Sequence, residues 1–263
     1  MGRLETTFGA LRRSGRPGLV TYTTAGDPDA GISVRILVEL ARAGADVLEV
    51  GVPFSDPLAD GPVIQRATER ALAGGMTLKG TLGVVRRVRE QVDTPIVLFT
   101  YANPVVRMAP AVFARAAADA GVDGVLILDF PLEEAGPLRA PLIDAGLDPI
   151  FLISPTTTDE RIRRSGELGR GFLYVISRLG VTGAREQLAA DIDTLVGRIR
   201  AQSSLPVALG FGISTPEQVA AVCGSADAAV VGSALVSVIA EHGAAPDVAE
   251  RAGQCVRWLK GAA

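Results

Sequence analysis

One strand-like run, Val47-Leu48-Glu49-Val50, carries a carboxylate among aliphatic residues. The stiff loop after it, rich in proline and glycine, ends in another, Asp60-Gly61-Pro62. Two acids so placed are equipment for proton transfer. Burial disfavours the ionised form, so a glutamate inside an apolar strand keeps its proton near neutral pH and can donate it. An aspartate in a polar loop stays ionised, and the pair splits into an acid and a base. Each residue also has a purely structural reading. Glu49 could be an internal glutamate satisfied by an arginine or a tyrosine, and Asp60, just before Gly61-Pro62, fits a helix cap. Asp27-Pro28 reads as an ordinary turn, and Asp129, at a strand end, as the organiser of a neighbouring loop.

Few other residues could compete for the chemistry. His242 is the only histidine and falls near an apparent helix end, which argues against a His-rich metal site or a Ser-His-Asp triad. Lys79 and Lys260 are the only lysines, both in helix-like stretches, so a Schiff base at a strand end is not expected. Cys223 and Cys255 read as small helix-packing residues in a reducing compartment. A net charge of −3, with acids and bases interspersed, gives no nucleic-acid surface. No signal-length or membrane-length apolar run is visible, so a cytoplasmic protein is expected, with neither metal nor membrane involved.

The elements that must position the acids alternate. Eight short apolar runs, beginning at Gly18 and ending at Val231, are separated by helical patterns, and a further amphipathic helix covers 4–13. Continuous apolar strands fit a parallel sheet covered on both faces. The count and the 263-residue length predict a single (β/α)8 barrel domain, a TIM barrel spanning 1–263 with an extra N-terminal helix; a doubly wound sheet is the alternative. No sequence repeat stands out. In such a barrel the site lies at the C-terminal strand ends. Glu49 and Asp60 fall there. So do Tyr22, Phe99, Tyr101, Tyr174 and Phe211, which form an apolar, aromatic wall or else ordinary core. Gly210-Phe211-Gly212-Ile213-Ser214 and Gly232-Ser233, at the ends of strands seven and eight, suit a backbone phosphate cradle, with Gly183 of the 177–188 loop as a third contact. The residues alone describe a metal-free, lysine-free lyase or isomerase for a substrate with an aromatic head and a phosphate tail.

The stretch from Leu48-Glu49-Val50-Gly51-Val52-Pro53-Phe54-Ser55-Asp56 through Pro57-Leu58-Ala59-Asp60-Gly61-Pro62 resembles the signature of the tryptophan synthase α-subunit family. Thr24-Ala25-Gly26-Asp27-Pro28, Ser177-Arg178 with Gly180-Val181-Thr182-Gly183, the Gly210–Ser214 motif and Val231-Gly232-Ser233-Ala234 are similar to that family too. The likeness runs from about residue 4 to 260. It implies retro-aldol cleavage of indole-3-glycerol phosphate to indole and glyceraldehyde 3-phosphate. By the resemblance Glu49 is the general acid–base, Asp60 binds the indole N–H, and Tyr174 is the active-site tyrosine. Tyr22, Phe99, Tyr101 and Thr182 would contact the substrate, Thr182 engaging Asp60 when its loop closes. Gly183, Phe211, Gly212, Gly232 and Ser233 would hold the phosphate. The resemblance also implies an α2β2 assembly with a β subunit, to which indole passes. Pyridoxal phosphate belongs to that partner, with no cofactor in this chain. The stretch 53–60 and the loop after strand three would face it. A stand-alone lyase releasing free indole and a regulatory subunit activating a partner are the alternatives. Tyr22, where phenylalanine is frequent, Phe130 and Leu179 depart from the common pattern.

Overall fold

The computed structural model describes residues 2–176, 185–210 and 212–261. Eight parallel strands close into a barrel in chain order: β1 (Gly18–Thr24), β2 (Val47–Gly51), β3 (Ile96–Thr100), β4 (Gly124–Ile127), β5 (Asp148–Ile153), β6 (Leu173–Ile176), β7 (Val207–Gly210) and β8 (Ala228–Val231), with β8 pairing back onto β1. Helices α1 (Arg3–Ser14) through α12 (Val248–Leu259) surround it. Aliphatic side chains on the outer strand faces pack under the helices, which is why the strands read as unbroken apolar runs. Among the described residues no helix is long and apolar enough to cross a membrane.

The inner face alternates with the pleat. On β1 it carries Val20, Tyr22 and Thr24; on β2, Val47, Glu49 and Gly51; on β3, Val97 and Phe99. Helix α1 closes the opposite end of the tube. Its Leu4, Phe8 and Leu11 are buried against the interior residues Val20, Val47, Val97 and Phe172. Each side chain so buried stabilises the fold by about 1.5–3 kcal/mol. Glycine makes the fit possible: a Cβ at Gly124 or at Gly171 would lie 3.0 Å from a methyl carbon of Leu4.

A short repeat emerges at that lower end, although none stands out in the sequence. Ala43-Gly44-Ala45-Asp46, Ala120-Gly121-Val122-Asp123 and Ala145-Gly146-Leu147-Asp148 each leave a helix through a glycine at positive φ and reach an aspartate at a strand start. Ser225-Ala226-Asp227 is a variant without the positive φ. Three of these carboxylates accept a backbone N–H from the preceding strand: Asp46 from Leu19, Asp123 from Ile96 and Asp227 from Val207. Asp46 is also paired with Arg16 and Lys260, and Asp123 with Arg89 and Arg3.

Three segments differ from expectation. The stretch after strand three, expected as a loop, forms helix α5 (Ala102–Met108), with Asn103 and Pro104 in its first turn. A proline there forfeits no helical hydrogen bond, because first-turn N–H groups have no intrahelical acceptor. The loop expected to run to about Leu188 stops sooner, since α9 (Arg185–Gln202) begins at Arg185. Asp27-Pro28 is a cis peptide rather than an ordinary turn.

Candidate active site

Glu49 sits at the middle of β2, beside Tyr22 of β1 and Val97 of β3. It is fully buried, and neither carboxyl oxygen has a hydrogen-bond partner among the described residues. The reading of Glu49 as an internal glutamate satisfied by an arginine or a tyrosine therefore finds no formed bond. Desolvation raises its pKa from 4.5 to about 8, and the charge of Asp60 adds to the rise. The Tyr174 hydroxyl offsets part of that rise, standing close to the carboxyl without the geometry of a formed bond.

Asp60 is half-buried in the loop between β2 and α3 (Pro62–Ala73). The cap position of α3 belongs to Gly61, which has no side-chain capping bond, so Asp60 does not cap the helix. Its carboxylate instead accepts the Tyr101 hydroxyl at 3.0 Å, and the same hydroxyl oxygen accepts the Ala59 N–H at 3.1 Å. Gln65 on α3 donates to the Asp60 carbonyl at 2.8 Å. Phe54, earlier in the loop, packs on the Tyr101 ring with centroids 5.1 Å apart. Burial lifts the pKa of Asp60 to about 6, against the lowering effect of the Tyr101 bond. At neutral pH the two acids are thus in different states, Glu49 mainly protonated and Asp60 mainly ionised.

Three of the aromatic residues expected in the wall, Tyr22, Phe99 and Tyr174, come together inside the barrel. Phe99 meets Tyr22 edge-on at 5.1 Å and Tyr174 at 6.4 Å. Tyr101 stands apart from this group as the support of Asp60. Two further residues brace the rim. Arg70 of α3 grips the buried Asp27 with two hydrogen bonds, at 2.8 and 2.7 Å, tying α3 to the turn after β1. Asp129 accepts the Ala102 N–H at 2.7 Å, at the start of α5 beside Tyr101, the loop-ordering role expected of it. Arg70 escaped the sequence reading because nothing local marks a helical arginine as the partner of a turn 43 residues away.

Of the phosphate-cradle residues, Gly212 has φ +73°, a conformation that favours glycine. Gly232 precedes helix α11 (Ser233–His242) and supplies no side-chain cap, and Ser233 is exposed. Thr182, Gly183 and Phe211, with Ser177, Arg178 and Leu179, lie outside the described residues. No group of three His, Cys, Asp or Glu side chains suited to a metal ion occurs among the described residues.

A closed barrel of eight parallel strands, with one carboxyl buried inside its second strand and another in the loop that follows, defines the class, a (β/α)8 barrel. The family model for the tryptophan synthase alpha chain matches residues 8–261. The tryptophan synthase alpha chain of Burkholderia thailandensis is 49% identical over all of this chain and 97% of its own length. That of Paraburkholderia phymatum is 48% identical over 99% of this chain and 95% of its own. Among solved structures, tryptophan synthase subunit alpha from Legionella pneumophila superposes with a TM-score of 0.92 at 39% identity, covering 100% of this chain and 98% of its own. A chain of tryptophan synthase from M. tuberculosis, in an open form with BRD0059 bound, gives 0.88 at 36% identity, with 98% of each chain covered. The chain belongs to the tryptophan synthase alpha chain family, lyases that cleave indole-3-glycerol phosphate.

Proposed function

We propose that Glu49 and Asp60 carry out the retro-aldol cleavage of indole-3-glycerol phosphate to indole and glyceraldehyde 3-phosphate, the whole chain acting as one barrel domain. The observation that carries this reading is the buried, unpartnered Glu49 carboxyl, kept protonated beside an ionised Asp60. Glu49 gives its proton to the indole carbon that bears the side chain. Positive charge develops on the ring nitrogen, where Asp60 accepts the N–H and stabilises it. The Glu49 carboxylate then takes the proton of the adjacent hydroxyl. As the carbonyl forms, the carbon–carbon bond breaks and its electron pair returns to the ring, releasing indole and leaving Glu49 protonated again. The protonated ring is the electron sink, so no lysine adduct is needed. Tyr174 orients the Glu49 carboxyl, while Tyr22 and Phe99 flank the ring.

Gly212, Gly232 and Ser233, joined by Gly183 and Phe211, hold the phosphate through backbone N–H groups and the start of α11. Thr182 and its loop complete the site when substrate is bound. A β subunit carrying pyridoxal phosphate docks on the same face in an α2β2 assembly in the cytoplasm and receives the indole. Leu58, 93% exposed, lines a groove of about 290 Å3 together with Phe54, Pro57 and Leu72 and the polar Asp56, Gln65 and Glu69, and supports that surface. The half-exposed Val106 of α5 extends it.

An indole-release assay on the purified chain, with and without a β subunit, tests the reading. Cleavage should occur and should rise with the partner, and Glu49→Gln should abolish it while substrate binding is largely kept. Near-normal turnover by Glu49→Gln would refute the role of Glu49. High turnover that a partner leaves unchanged would favour a stand-alone lyase.

A further inference from the structure

Tyr22 lies along the inner wall between the two ends of the proposed site. At one end a Cβ on Gly232 would stand 3.4 Å from the Tyr22 Cβ, so the root of the side chain lies under the phosphate cradle. At the other end its hydroxyl rests over Gly51, where a Cβ would come within 2.2 Å of the oxygen. Gly51 ends the strand that carries Glu49. The phenol ring therefore follows the path that a short linker must take from a phosphate at β8 to a reacting carbon at β2.

Its hydroxyl is incompletely used. Tyr22 Oη and Thr24 Oγ1 lie 3.3 Å apart, longer than the usual 2.7–2.8 Å or so for paired hydroxyls. Neither oxygen has another hydrogen-bond partner among the described residues. Two hydroxyls bring two protons, and the bond between them uses one. The other is left in a buried site with no acceptor, an arrangement disfavoured unless something arrives to accept it. Burial first, and then the charges of Asp60 and Glu49, hold the Tyr22 proton well above its ordinary range, so the phenol stays a donor at working pH.

We propose that the Tyr22–Thr24 hydroxyl pair is a specificity element that donates its unused proton to a hydroxyl of the three-carbon linker joining the indole ring to the phosphate. The assignment rests on the lyase reading above and deepens it. Phe99, edge-on to the other side of the Tyr22 ring, keeps the phenol in place, so the contact is made without reorganisation. The pair selects linkers that bear hydroxyls over saturated linkers of the same length.

Two ligands separate this contact from general packing. Indole-3-glycerol phosphate carries the linker hydroxyls; indole-3-propanol phosphate keeps the ring and the phosphate and lacks both. For Tyr22→Phe, kcat/KM for the first should fall about three- to tenfold, the size of one hydrogen bond. The inhibition constant of the second should change less than about twofold. Thr24→Val, close in shape to threonine, should show the same split. Equal losses with both ligands would mean that Tyr22 only shapes the wall. Unchanged kinetics in both variants would mean that the hydroxyls are idle. Either result overturns the proposal. Wild-type protein that binds the propanol phosphate but leaves indole-3-glycerol phosphate uncleaved would overturn the lyase reading itself, and with it this assignment.

Discussion

Replacing Glu49 with glutamine should stabilise the fold, by an amount that grows with pH. The buried carboxyl keeps its proton to about pH 8, whereas in the unfolded chain it titrates near 4.5. Between those values the folded state binds more protons than the unfolded state, so this group makes stability fall as pH rises. Its favourable contribution is complete below the unfolded pKa and is lost through the folded one. Each unit of difference is worth about 1.36 kcal/mol, and integrating from pH 5 to pH 9 gives about 4 kcal/mol. Glutamine, nearly the same shape and uncharged, carries no such dependence. Urea unfolding of both proteins at pH 5, 7 and 9 isolates the effect, because the remaining titrating groups are common to both chains. The variant's advantage should widen by about 4 kcal/mol across the series while indole formation is absent throughout. A difference that stays constant to within about 1 kcal/mol would show that Glu49 does not titrate as its burial requires.

The remaining predictions concern the same site and its supports. The kcat/KM profile should be bell-shaped, with an acid limb near 6 from ionisation of Asp60 and an alkaline limb near 8 from loss of the Glu49 proton; a flat profile from pH 5 to 9 would contradict it. Tyr101→Phe removes the bond that lowers the Asp60 pKa, so the acid limb should move to higher pH and kcat/KM should drop about tenfold. Unmoved limbs would show that Tyr101 does not support Asp60. Asp123→Ala removes the carboxylate from the mostly buried Arg89, which keeps its backbone carbonyl acceptors, and leaves the Ile96 N–H without one; it should cost about 1–3 kcal/mol in urea unfolding, with kcat/KM of the folded protein retained. Gly212→Leu forces a bulky side chain into positive φ, and should weaken binding of indole-3-propanol phosphate by tenfold or more; unchanged binding would misplace the phosphate cradle.

Much of this was readable from residue patterns. The strands were legible because a parallel strand covered on both faces must be apolar throughout. Glu49 was legible because it violates that rule. Asp60 could be located but not interpreted. Asp60-Gly61-Pro62 is compatible with a helix cap, and only the position of Tyr101, 41 residues on, decides that the carboxylate is held by a phenol instead. Helix α5 was hidden by a proline whose cost vanishes in a first turn, and the start of α9 by polar residues that read equally well as loop. The Gly-x-Asp repeat stood in plain view. It went unnoticed because it lies at helix–strand junctions, where neither the helical nor the strand period marks it. Its function appears only when Asp46 and Asp123, like Asp227, are seen to accept an N–H of the neighbouring strand.

Among the described residues, helix α1 closes the lower end of the barrel. Leu4, Phe8 and Leu11 fill the lower end so completely that glycines had to give way for them. A molecule as apolar as indole would otherwise find a hydrophobic tube the easiest way out. With that floor sealed, passage of substrate and products falls to the opposite rim, which carries the Asp60 loop, α5 and the start of α11. Whatever sits on that rim governs traffic in both directions. A seal built from three side chains at the far end of the molecule thereby makes departure directional.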